Sequence, residues 1–63
     1  MKKYKWKGDF FIIRGTDLRA RFLQNADKAG FIDFRELASP AGKYYFRTHR
    51  VNKKRVADIM RDI

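Results

Sequence analysis

Aromatic and lysine positions alternate at the start of the chain. Tyr4 and Trp6 stand between Lys3, Lys5 and Lys7, a period of two that predicts a strand with one aromatic and one lysine face. Gly8-Asp9 interrupts the pattern, and Phe10–Arg14 resumes as an apolar run. Gly at the first central position suits a tight two-residue turn. Two short strands joined at Gly8-Asp9 are therefore expected, with one bent strand as the competing arrangement. Gly15 ends the run, and Thr16 or Asp17 can cap a helix. Leu18, Phe22, Leu23, Ala26 and Ala29 then recur at helical spacing as far as Gly30, a residue suited to the position just past a helix end. The predicted helix is Asp17–Ala29.

The second half repeats this plan. Phe31–Leu37 reads as a strand with Ile32 and Phe34 on one face and Asp33 and Arg35 on the other. Ala38–Gly42 is a loop by its Ser, Pro and Gly content. Lys43–Arg50 reads as the returning strand, in which Tyr44, Phe46 and Thr48 alternate with Tyr45, Arg47 and His49. Asn52 suits an N-cap, and Val51 and Val56 fall where a hydrophobic staple would join them. Val56, Ile59, Met60 and Ile63 mark the apolar stripe of a helix over Lys53–Asp62. The order ββ-α-ββ-α predicts an α+β fold. The N-terminal strand pair and the C-terminal hairpin form a small antiparallel sheet, both helices pack on one face, and the other face is left to solvent or ligand. The expected core holds Trp6, Phe10 or Phe11, Ile12 or Ile13, Leu18, Phe22, Leu23, Ile32, Phe34, Phe46, Val56, Ile59 and Met60.

Length and composition narrow the classes. Sixty-three residues make one small basic domain, 1–63, whose core must be thin, since a chain of this size buries only about 60% of its unfolded surface. A hydrophobic content of 44% is too high for a disordered tail. There is no Cys and one His, so no disulfide framework, thiolate zinc site, cofactor or metal is expected. The longest apolar run, Phe10 to Ile13, is far short of the roughly 20 residues of a spanning helix. Lys5, Lys7, Gly8 and Asp9 stand where an export signal would be apolar. A cytoplasmic protein without a membrane partner is the expectation.

Charge location is more telling than the total of +9. Residues 1–8 carry four Lys and no acid, and residues 43–55 carry six Lys or Arg, one His and no acid. Lys53-Lys54-Arg55 crowd the first turn of the last helix, the end that already bears about half a positive charge from the macrodipole. Such a local conflict points to function, and a helix start flanked by cations suits phosphate.

Clustered cations with interleaved aromatics point to nucleic acid. The candidate contacts are Arg47, Arg50, Lys53, Lys54 and Arg55 as the principal surface and Lys3, Lys5 and Lys7 as a second strip. Lys43 and Arg35 join them, Arg35 and Arg47 as possible base readers, and Tyr45 as a stacking residue between cations. A duplex is preferred to a single strand, on the argument that so short a chain spends nearly all its aromatic rings on the core, and DNA is preferred, with RNA the alternative. A competing reading is a small inhibitor or adaptor for an acidic protein surface. A third is a toxin-like ribonuclease using His49 as acid or base. No catalytic residue is expected, since one His and no Gly-rich loop leave the usual constellations incomplete. A thin core and an unpaired edge strand allow a monomer or a homodimer.

Overall fold

The computed structural model describes residues 4–63. Two strands, β1 (Tyr4–Lys7) and β2 (Phe10–Arg14), lead into helix α1 (Thr16–Ala29). Strands β3 (Arg35–Leu37) and β4 (Lys43–Arg47) follow, then a 3-10 turn, Arg50–Asn52, and helix α2 (Lys53–Arg61). The strands form one antiparallel sheet in the order β1-β2-β4-β3. The expected α+β order is thus realised, with both helices on one face.

The two-residue turn forms at Gly8-Asp9, where Gly8 takes φ 66, and it sets the parity of everything that follows. Lys7 pairs with Phe10, and Trp6 with Phe11. Partners across a ladder share a face, so Phe11 and Ile13 follow Trp6 inward while Phe10 and Ile12 follow the lysines outward. Phe11 lies opposite Phe46 of β4, the rings stacked with centroids 5.4 Å apart. Phe22 of α1 meets both, at 5.4 Å from each. Ile13, Ala26, Phe31, Val56, Ile59 and Met60 complete the buried core, with Tyr4, Trp6, Leu18, Leu23, Phe34 and Tyr44 packed around it.

The connection after α1 departs from the expected strand. Gly30 adopts the left-handed conformation (φ 73), its N–H donates to the Asp27 carbonyl and the Phe31 N–H to that of Ala26. This double bond pattern, with apolar residues at its two ends, closes the helix as a Schellman motif. It carries Phe31 into the core against Phe34, centroids 5.2 Å apart. The Phe34 N–H then bonds the Ile32 carbonyl in a tight turn, which breaks the period of two. Ile32 consequently stands 82% exposed rather than buried, Phe31 takes its place, and the strand begins only at Arg35.

Three end signals are also replaced. Gly15 is the N-cap of α1, with φ 105 and no side-chain cap. The Thr16 hydroxyl bonds the Tyr44 hydroxyl instead, and Asp17 pairs with Arg21. β4 stops at Arg47, the last residue paired with β2 and β3. Thr48 turns inward, its N–H on the Asp9 carbonyl and its hydroxyl on that of Asp33. Asn52 does precede α2, but its Oδ1 accepts no bond from the helix N–H groups while its NH2 donates to Asp33 and Thr48, and the 3-10 turn leaves Val51 86% exposed, so no staple forms.

One ion pair straps α1 to the sheet edge. Arg19 donates to both carboxylate oxygens of Glu36, at 2.7 and 2.8 Å, while its guanidinium covers the Tyr44 ring at 5.1 Å. The hydrogen bonds from Arg19 hold the Glu36 carboxyl below its ordinary 4.5, against the opposing effect of partial burial. A carboxyl lowered on folding stabilises the fold at pH above its ordinary range, and the contribution is lost as pH falls through the lowered value.

Two outcomes follow from this packing. Phe46→Ala should remove about 3–5 kcal/mol, most of the roughly 3–9 kcal/mol expected for a chain of this length, whereas Ile32→Ser should change stability by less than about 0.5 kcal/mol; urea unfolding followed by Trp6 fluorescence measures both. Glu36→Gln should lower the urea midpoint at pH 7, and its gap from the wild type should close as pH drops below 4.5.

Candidate nucleic-acid interface

Ten strand positions point away from the helices. Lys5 and Lys7 come from β1, Phe10, Ile12 and Arg14 from β2, Lys43, Tyr45 and Arg47 from β4, and Arg35 and Leu37 from β3. Six are cations, four are apolar or aromatic, and none is an acid. The register arranges them in rows across the sheet. Lys7, Phe10, Arg47 and Arg35 form one row, and Lys5, Ile12, Tyr45 and Leu37 the next; Arg14 and Lys43 follow. The apolar members are half-buried and the cations exposed. Phe10 lies diagonally beside Tyr45, the rings stacked at 5.7 Å with 18° between their planes.

Two pairs of neighbours in this array carry like charge directly opposite one another, Arg35 with Arg47 and Arg14 with Lys43. Such pairs oppose folding. Asp9, in the hairpin turn, offsets one of them by pairing with Arg47 at 3.3 Å. On the helices, Arg19 pairs with Glu36 of β3, Arg21 with Asp17 and Arg61 with Asp58.

The sequence-predicted contacts are divided by the fold. Lys5, Lys7, Arg35, Lys43, Tyr45 and Arg47 share the open face; Lys3 lies outside the described residues. Arg50 stands on the 3-10 turn, around a shallow depression that Arg35, Arg47 and His49 also line. Lys53 and Lys54 sit beside β1, bordering a second depression with Tyr4, Lys5 and Trp6, and the Lys53 ammonium lies 5.5 Å from the Trp6 ring centre. Arg55 is elsewhere: its guanidinium donates to the Ala29 carbonyl at 3.0 Å, satisfying a free carbonyl at the end of α1. The three cations of the helix start therefore have different surroundings. Lys53 rests on an aromatic face, Arg55 ties the two helices together, and Lys54 is exposed.

Phe10, Ile12, Arg14 and Leu37 belong to the same face and lie outside the set of contacts that the sequence predicts. The signal for three of them is present: with a two-residue turn, the outward lysines of β1 dictate an outward Phe10, Ile12 and Arg14.

No protein-family model matches this chain, nor does any curated protein or solved structure. Among the described residues no helix is long and apolar enough to cross a membrane, and no group of three His, Cys, Asp or Glu residues is placed to hold a metal ion.

The opposed cations give a direct expectation. Arg35→Thr and Arg14→Thr should each raise stability by about 0.2–1 kcal/mol at low salt. The gain should shrink near 1 M salt, where the screening length falls to about 3 Å. Thermal unfolding at two salt concentrations measures both effects.

Proposed function

We propose that this protein is a non-catalytic nucleic-acid-binding domain and that the open face of its sheet is the contact surface. The observation that supports this most strongly is an array of six cations without an acid among its strand positions, two pairs of which face each other at a cost to folding. A polyanion relieves that repulsion, and phosphates do so with release of counterions. Lys53 and Lys54 extend the positive surface around the β1 edge, and Arg50 extends it past the end of β4. DNA and RNA both supply the required charge. The preference for a duplex rests on the core consuming nearly all the rings, and Phe10 with Tyr45 on the open face weakens that premise.

An acidic protein would answer the charge as well. Its side chains, however, present carboxylates singly, whereas the cations here border the apolar strip, with Arg14 beside Lys43 and Arg35 beside Arg47 about 5 Å apart across strands, suited to a ligand charged at every unit. His49 lies exposed beyond the end of β4, beside Arg47 and Arg50 at the rim of the depression they line, and has no chemical role in non-catalytic binding.

With six cations engaged, the logarithm of affinity should fall with the logarithm of salt at a slope of about −4 for a single strand to −5.5 for a duplex. Arg14→Gln and Lys43→Gln should each reduce the slope by about one. His49→Ala should leave affinity unchanged, and no strand should be cleaved. Fluorescence anisotropy with labelled oligonucleotides, followed by gel analysis of the same samples, tests these points. Absence of binding at 50 mM salt, with an acidic protein bound instead, would overturn the reading.

A further inference from the structure

We infer that the nucleic acid taken by the open face is single-stranded, with its bases stacked on Phe10 and Tyr45. The inference rests on the reading of that face as a nucleic-acid surface and goes further in naming the form. It begins with what occupies the centre. Ile12, Tyr45 and Leu37 form a continuous apolar row, and Phe10 stands beside it with its ring nearly parallel to that of Tyr45. Every cation lies at the margin of this strip, about 7 Å away along a strand or one strand to the side.

A duplex has no partner for such a centre. Its base faces are already stacked on one another, and its exterior offers only base edges and charged backbone. Pressing an apolar strip on that backbone would strip water from phosphates without replacing the lost hydrogen bonds. Size argues the same way. Four strands at about 4.8 Å spacing span about 14 Å between the outer backbones, wider than the roughly 12 Å major groove, which admits a helix or a two-stranded ribbon. A single strand meets both demands. Its unstacked bases expose apolar faces to the two rings, as aromatic side chains on sheets are used to bind single-stranded RNA. Its backbone can reach the marginal cations, and stacking of this kind accepts any base.

The experiment uses the intact protein with labelled 12-nucleotide single strands of DNA and of RNA and with hairpin duplexes of the same sequences, at one fixed salt concentration. Both single strands should bind at least about tenfold more tightly than their duplexes. Phe10→Leu and Tyr45→Leu keep apolar bulk while removing the aromatic face. Each should weaken single-strand binding by about 5- to 150-fold and leave duplex binding within about twofold. Tyr45→Phe should retain single-strand affinity. A preference between the DNA and RNA strands identifies the source and supports the inference in either direction. Circular dichroism checks each variant's fold, and crosslinking of a bromouracil-substituted strand to the wild-type protein should map to Phe10 or Tyr45 without any substitution. Equal or tighter binding of duplex, equal losses for both forms in the Leu variants, or crosslinks confined to other residues would overturn the inference and leave the nucleic-acid reading standing. Failure to bind any of the four oligonucleotides would remove that reading as well.

Discussion

The stack of Phe11 on Phe46, closed by Phe22 from α1, is the contact on which the arrangement of the whole sheet depends. A pleated strand has only two faces, so committing Phe11 and Phe46 to the core also commits their neighbours to the opposite side. Phe10, Ile12, Tyr45 and Arg47 are outward because those two rings are inward. The open face is in this sense the reverse side of the core. Its composition could not be altered by a register slip without expelling the aromatic cluster into water, which gives the arrangement a strength that its own repulsive charges lack.

Much of the fold was legible in the sequence because its periodicities are strong and punctuated by glycine. The order of elements and the extent of α1 and α2 follow from the spacing of Leu18, Phe22 and Ala26 and of Val56, Ile59 and Met60. The region after Gly30 was not legible, for a local reason. The helix-closing motif at Gly30 draws in the residue that follows it, so Phe31 rather than Ile32 reaches the core, and a strand period counted from Phe31 fails. Asn52 misled in a different way. A side chain competent to cap a helix is instead oriented by the bonds that its NH2 donates to Thr48 and Asp33, which depend on tertiary placement and have no sequence signature.

The candidate site was partly legible on the same terms. Alternation placed Tyr45 with Arg47, and the expected two-residue turn carried the lysines of β1 onto the same surface. The grouping of Lys53, Lys54 and Arg55 followed adjacency along the chain, whereas a helix sends consecutive residues about 100° apart around its axis. Arg55 thereby reaches the end of α1 and Lys53 reaches Trp6. The unfavourable charge at this helix start is accordingly offset in part by a carbonyl and a ring that these two side chains find. The macrodipole conflict alone says less about ligand binding than the like-charged neighbours on the sheet.

The Ile32–Phe34 connection also bears on how such a surface can change over generations. It spans only a few residues between the end of α1 and the start of β3, and its length fixes which β3 residues share a face with Tyr45 and Arg47. One residue inserted there, if passed into the strand, would exchange the faces of Arg35, Glu36 and Leu37. A carboxylate would enter the cationic array, and two of its members would turn toward the helices. At Ile32, 82% exposed, the connection therefore tolerates substitution far better than insertion or deletion. Its length is inherited as part of the surface, although Ile32 and Asp33, which occupy it, stand on none of the sheet's rows.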